Sequence, residues 1–377
     1  MSIPIGIRKV CLTGLLVFLL AACSAPAPAA TPTLTATASP TALPTATTTL
    51  TPTATAIRTP PALPGPFQTS LLNPLDPPHT YIPNICQYLQ DKWSSANSAP
   101  GTIVIPIMFH AIMKPGDTVG PNQISEEQFK ALMSGLQKQG FEAIDTAQLA
   151  AFLEHNAKIP PRSVILIVDD RHHAEYFDTY FRPFWEADQW PVVNAWISAQ
   201  RDGLDAALWQ EQIPLNAEGW VDYQAHGVVH NIPMGPGSTD AYILGELQGS
   251  IDAFKQHFNK TPIAIIWPGG GFSNRSVELA RQLGYQLGFT TNPRGPLMFD
   301  WVPLSDAKDP RRPSWLPEGA VNDPLLVLPR YWDTDAIQHL DDIVKIAQDS
   351  AAYAQQNKAT ELEYYDILCA PELGPIP

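Results

Sequence analysis

The chain has 377 residues, 45% hydrophobic and 16% charged, with a formal charge of −14. That length is too great for one small domain and suits one barrel-sized domain with appendages. The acidic balance excludes a nucleic-acid partner, which needs a basic footprint.

The first 23 residues read as a targeting segment rather than as fold. Arg8 and Lys9 give a positive start, and Val10 to Leu20 form an apolar run too short to span a bilayer comfortably. The run ends Leu20-Ala21-Ala22-Cys23-Ser24, which resembles a bacterial lipobox. The resemblance implies that Cys23 is lipidated, that Cys11 is lost with the leader, and that the protein is held to the cell membrane or outer membrane outside the cytoplasm. An ordinary cleavage near Ala22 is the alternative. Export would put Cys86 and Cys369 in an oxidising compartment, where a disulfide between them closes nearly the whole domain; two buried thiols are the other reading.

From Ala25 to about Gly65 the chain is almost all Thr, Ala, Pro and Ser, and no charged residue lies between Lys9 and Arg58. Such a composition cannot bury enough surface to offset the entropy of ordering. Residues 24–80 are therefore expected to form a disordered stalk, with one folded domain over 81–377.

Within that domain short apolar runs alternate with amphipathic stretches. Strands are predicted over Ile103–Phe109, Ser163–Val168, Val192–Ile197, Val221–Ala225, Ile263–Trp267, Leu287–Thr290 and Leu325–Leu328. Helices are predicted over Ser125–Gln139 with Ser125 as N-cap and Gln128 completing a capping box, then over Thr146–His155. Others cover Glu175–Ala187 with a break at Pro183, Asp240–Phe258, Asn274–Leu283 and Thr334–Gln355. Residues 200–220 and 292–323 read as irregular. The alternation points to an α/β fold with a parallel sheet. No glycine-rich phosphate turn follows the first strand, so a distorted (β/α) barrel is favoured over an open nucleotide-binding sheet.

In such barrels chemistry gathers where loops leave the C-terminal ends of strands. His110 follows the first strand, Asp169 and Asp170 the second, His226 and then His230 the fourth, and Pro268-Gly269-Gly270-Gly271 the fifth. One carboxylate and two imidazoles make a three-ligand site with a position left open, the pattern of catalytic zinc. The spacing of four is expected to place His226 and His230 on one side of a helical turn. Of two adjacent carboxylates, one can bind metal while the other serves as base. Each piece also has a bland reading: a paired Asp as a turn device, a surface His pair, an ordinary Gly-rich loop.

The order of motifs resembles the polysaccharide deacetylases (NodB homology, carbohydrate esterase family 4), specifically the subgroup acting on poly-N-acetylglucosamine. The resemblance rests on Phe109-His110, Gly140-Phe141-Glu142-Ala143-Ile144, Pro161-Arg162-Ser163-Val164 leading to Asp169-Asp170, and Leu328-Pro329-Arg330-Tyr331. It covers about Thr102 to Trp332. It implies a distorted NodB-type barrel that hydrolyses N-acetyl groups of an amino-sugar polymer with a divalent metal, zinc first. It further implies Asp169 as base and Asp170, His226 and His230 as metal ligands. The Gly269 N–H would donate to the oxyanion, Arg330 would orient Asp169, and His110, Trp267 and Pro268 would line the substrate pocket. Trp301 and Tyr331 could stack on sugar rings.

The sequence departs from the family at three points. The usual glycine after the paired aspartates is Arg171, followed by His172 and His173. The Pro-Gly turn has lost an aromatic, and the late Leu-x-His motif has no histidine. The general acid is thus unassigned, with His172 or His173 as substitutes unless they are solvated surface groups. A carbohydrate-binding module without turnover, a peptidoglycan deacetylase and an O-acetyl esterase stay open beside the deacetylase.

Overall fold

The computed structural model describes residues 58–199, 203–230, 232–308, 310 and 316–377. The leader, Cys23 and the segment up to residue 57 lie outside the described residues. Among those described, no helix is long and apolar enough to cross a membrane.

The folded body begins before residue 81. The Phe67 ring lies 6.1 Å from that of Trp301 and 5.8 Å from that of Tyr353. Asp76 forms a buried ion pair with Arg294, and β1 (Pro78–His79) pairs antiparallel with Val302–Pro303. The expected stalk boundary at residue 80 is corrected here. Phe67 and Asp76 interrupt the Thr/Pro/Ala composition with an aromatic ring and a carboxylate that the domain buries. α1 (Ile85–Trp93), absent from the sequence reading, is capped by Asn84, whose side chain accepts from the Cys86 and Gln87 amides. Cys86 is bonded to Cys369.

β2 (Ile103–Phe109) is buried along its whole length. β3 (Ala111–Met113) and β4 (Gln123–Ser125) form a small parallel pair of their own. α2 (Glu126–Lys138) starts on the Ser125–Gln128 capping box, and β5 (Glu142–Ala143) and α3 (Thr146–His155) follow. In β6 (Arg162–Val168) successive side chains enter opposite packing layers: Val164, Leu166 and Val168 one, Ile165 and Ile167 the other. A strand covered by helices on both faces must be apolar where it is covered, as β2 is along its whole length and β6 is from Val164 to Val168. α4 (Ala174–Tyr180) and α5 (Arg182–Asp188) divide beside Pro183.

The alternation continues through β7 (Val192–Trp196), α6 (Gly203–Glu218), β8 (Val221–Ala225) and α7 (Asp240–Phe258). β9 (Ala264–Ile266), α8 (Asn274–Gln282) and β10 (Leu287–Phe289) come next, then β11 (Val302–Pro303), β12 (Tyr331–Trp332), α9 (Ala336–Tyr364) and α10 (Ala370–Leu373). Two expectations fail. Residues 203–218 are helical despite Pro214, because Leu208, Trp209 and Leu215 bury one face and offset the lost hydrogen bond. Leu325–Leu328 is not a strand: Pro324 opens a tight 3₁₀ turn, and only Leu328 bridges Phe289.

The main sheet runs β10-β9-β8-β7-β6-β2-β12 and is parallel throughout. Its two edges approach through one short segment: Leu328 bridges β10, and three residues later Tyr331 and Trp332 pair with Ile107 and Met108 of β2. The sheet therefore curls into a half-barrel with flanking helices, the distorted (β/α) barrel. Its C-terminal strand ends share one rim, and Arg330 is trapped in the seam.

Candidate functional site

Asp169 leaves β6 with its amide still donating to the Phe109 carbonyl at 2.8 Å, so the sheet fixes its backbone. Its carboxylate is buried and meets the buried Arg330 in a two-point clamp, Nη1 to Oδ1 at 2.6 Å and Nη2 to Oδ2 at 3.0 Å. Arg330 is itself held, Nε donating to the Thr290 carbonyl at 2.7 Å. Burial alone would raise the Asp169 pKa, but the Arg330 guanidinium, with His226 and His110 beside it, holds it at about 2. The group is ionised at every physiological pH.

Asp170 turns away, with φ at 72°. The left-handed residue of this turn is thus the aspartate, one of the side chains that tolerates it best, and not Arg171. The missing glycine carries no backbone strain. Arg171 instead ties the rim together: Nε donates to the Ile197 carbonyl at 2.8 Å, Nη2 to that of Ala199 at 2.6 Å, and Nη1 pairs with Asp205.

The Asp170 Oδ1 lies 3.8 Å from the Nε2 of His226 and 3.9 Å from that of His230. One ligand atom from each of the three falls within 4.8 Å of the others. The expected helical turn between the histidines is not what brings them together. Gly227 (φ 75°) and His230 (φ 60°) are both left-handed, which no helix allows, and the loop folds the rings to 4.3 Å between centroids. The His226 Nδ1 lies 2.7 Å from the Ile266 carbonyl. That contact makes Nδ1 the donor and leaves Nε2 as a lone pair facing Asp170. Burial pushes the His226 pKa well down despite the nearby Asp169 charge, so the ring is neutral at pH 7.

His110 stands across the site, its Nε2 3.8 Å from the Asp169 Oδ2 and its ring stacked on Trp332 at 5.4 Å. His172 is not a surface group: it stacks on Tyr176 at 4.0 Å, and its Nε2 lies 3.1 Å from the Asp169 carbonyl. His173 is exposed and pairs with Glu211. Gly269 (φ 57°) lies in the 3₁₀ turn Pro268–Gly270 that leaves β9, and Pro268 is buried. Trp267 is fully buried, its Nε1 donating to the Leu326 carbonyl at 2.7 Å. It is a core side chain, which corrects its expected place in the pocket wall. Trp301 and Tyr331 are likewise buried, at 4% and 6% exposure, and offer no open face to a sugar.

Three residues escaped the sequence reading. Trp332 backs His110. Asp333 is 1% exposed with neither carboxylate oxygen partnered among the described residues, and burial, with the Asp169 charge adding, raises its pKa to about 7. The strand-end rule would have found it, had Tyr331–Trp332 been read as a strand. Glu246, also buried, accepts from the backbone of the His226–His230 loop. Its signal was a carboxylate inside an apolar helical stripe.

Residues 157–288 match the family model for polysaccharide deacetylase. The Bacillus subtilis (strain 168) protein YxkH, whose name places it among polysaccharide deacetylases, is 21% identical over 196 residues, 50% of this chain and 65% of that protein's length. Among solved structures, the Streptococcus pyogenes deacetylase PplD in complex with acetate aligns at TM-score 0.49 and 19% identity, over 65% of this chain and 99% of that one. IcaB from Ammonifex degensii aligns at TM-score 0.48 and 15% identity, over 67% and 100% respectively. The family model and the curated relative are thus similar to this chain over part of its length, the chain spanning 65% of the relative.

Proposed function

We propose that this protein is a metal-dependent hydrolase that removes N-acetyl groups from an amino-sugar polymer of the poly-N-acetylglucosamine kind. One observation carries the reading: Asp170, His226 and His230, distant in sequence, bring their ligand atoms together beside a carboxylate that Arg330 keeps ionised. The donor set fits a divalent ion. Two imidazole nitrogens and one carboxylate oxygen suit zinc before harder cations, and zinc–ligand bonds of about 2.0–2.2 Å need only a small contraction of the present spacing.

When bound, such an ion supplies Lewis acidity toward an acetyl carbonyl and lowers the pKa of a water. The protein's own groups do the rest. Asp169, clamped at both oxygens, cannot swing away and accepts the proton of the attacking water. His110, whose Nε2 lies 3.8 Å from the Asp169 Oδ2, is the candidate to protonate the departing amine. The Gly269 amide, in the turn after β9, is the candidate donor to the developing oxyanion, a contribution typically of about 10²–10³ in rate.

The reading of a binding module without turnover drew on the missing glycine at Arg171; with the left-handed residue at Asp170, that objection loses its force. Peptidoglycan and acetyl esters remain outcomes of the test. The leader and Cys23 support export and a lipid anchor, and the Cys86–Cys369 bond suits an oxidising compartment.

The test is acetate release by the purified protein with zinc from chitooligosaccharides, peptidoglycan fragments and acetylated xylan. Asp169→Asn should lower release at least about 10²-fold while sparing metal content. Full activity in that variant would refute the assigned base.

A further inference from the structure

α7 buries one stripe, Ile243, Leu247, Ser250, Ile251 and Phe254, and Glu246 sits inside it at 3% exposure. A buried carboxylate is costly unless its charge is met. Among the described residues no lysine or arginine pairs with it. Its Oε2 accepts from the amides of Val228 at 2.8 Å, Val229 at 3.1 Å and His230 at 3.4 Å, and its Oε1 also reaches the Val229 amide at 3.1 Å. Successive backbone N–H groups aimed at one point form a concave anion site. Here the anion is the protein's own side chain.

We infer that Glu246 is a positioning residue that holds the His226–His230 loop in its metal-binding form. This rests on the reading of that loop as half of a metal site. The two histidines are not equally secured. His226 is fixed by the sheet, its amide donating to the Trp196 carbonyl at 3.1 Å, and by its Nδ1 contact with Ile266. His230 has a left-handed backbone, and the Glu246 carboxylate is what reaches its N–H. The offset between the two rings is therefore set from α7.

The backbone is shaped for this contact on both sides. A Cβ on Gly227 would stand 2.5 Å from the Glu246 Oε2, at a φ of +75° that favours glycine in any case. A Cβ on Gly249, one turn along α7, would stand 2.7 Å from the Val228 Cγ2. Both glycines clear space for loop and helix to meet at carboxylate distance.

The experiment titrates zinc alone into the purified protein in competition with a chromogenic chelator. Glu246→Gln replaces one acceptor oxygen with an NH₂ that opposes the loop amides. It should raise the zinc Kd by about 10–100-fold, with kcat for acetate release recovering at saturating zinc. Ser250→Ala removes a buried hydroxyl on the same helix, which donates to the Glu246 carbonyl, and should leave Kd within about twofold. If Glu246→Gln does not fold, Glu246→Asp keeps the charge but withdraws it from the amides, and should shift Kd in the same direction. An unchanged Kd in the folded Gln or Asp variant, or an equal rise in Ser250→Ala, overturns the inference. A parent protein that takes no zinc overturns the deacetylase reading, and this one with it.

Discussion

Replacing Arg330 by methionine should damage the fold before it damages chemistry. Asp169 and Arg330 are 1% and 0% exposed, and each is the other's charge partner across the barrel seam. Removing one member of such a pair leaves a buried, uncompensated charge and typically costs about 3–5 kcal/mol. The pH dependence gives a second handle. The Asp169 pKa is depressed from 3.8 to about 2 in the folded protein. A depressed carboxylate contributes stability that is present above the unfolded pKa and lost as pH falls through the folded one. The shift corresponds to about 2.5 kcal/mol, lost between roughly pH 4 and pH 2. Without Arg330, burial is the leading influence left on Asp169 and its pKa should rise above the ordinary value. The variant should then lose stability, not gain it, as pH climbs past 4. Denaturant unfolding of metal-free protein in EDTA, from pH 3 to pH 8, reads both effects. The double variant Asp169→Asn/Arg330→Met removes both charges and should recover a large part of the loss at pH 7. A cost below about 1 kcal/mol for Arg330→Met, or no recovery in the double variant, refutes the argument.

Two further expectations follow from buried groups outside the ligand set. Asp333 has its pKa raised to about 7, so the neutral carboxyl is favoured; that contribution is full below the unfolded pKa and lost as pH rises through 7. Asp333→Asn should therefore stabilise the protein at pH 8, by at most about 4 kcal/mol, and do nothing at pH 4; equal unfolding midpoints at both values would contradict this. The Cys86–Cys369 bond closes a separation of 283 residues, and the paired Cys86→Ser/Cys369→Ser variant should lose about 2–5 kcal/mol, read as a lower Tm that added reductant does not lower further.

The parts legible in the sequence share a physical cause. β2 along its whole length and β6 from Val164 to Val168 are apolar because both faces are covered, so their C-terminal ends, and the His110 and Asp169-Asp170 that follow, could be placed to a residue or so. β12 is two residues long, and nothing in Leu328–Trp332 distinguishes a strand from a loop until its neighbours are known. Asp333 was lost for that reason. Arg330 was reached by resemblance, yet its burial depends on the seam closing between β10 and β2, a relation between segments some 40 and 220 residues away. Trp267 shows the converse error: an aromatic at a strand end reads as a pocket wall, but the Leu326 carbonyl claims its Nε1 and the core takes the ring.

The histidine pair carries the same lesson further. A spacing of four limits how far apart two side chains can be and says little about the backbone between them. A helical turn satisfies it, and so does a loop with two left-handed residues. The two solutions differ in what must support them. A helix carries its own hydrogen bonds, whereas this loop leaves three successive N–H groups to be met from outside. Once Gly227 rules out the helix, the part-buried amides require an acceptor from outside the loop, because amides screened from water without partners are costly. The one glutamate in the apolar stripe of α7 is where that requirement is met. The proposed metal site would therefore be a property of two helix–strand units together, and a substitution at Glu246 on α7 should reach it through the amides of the histidine loop.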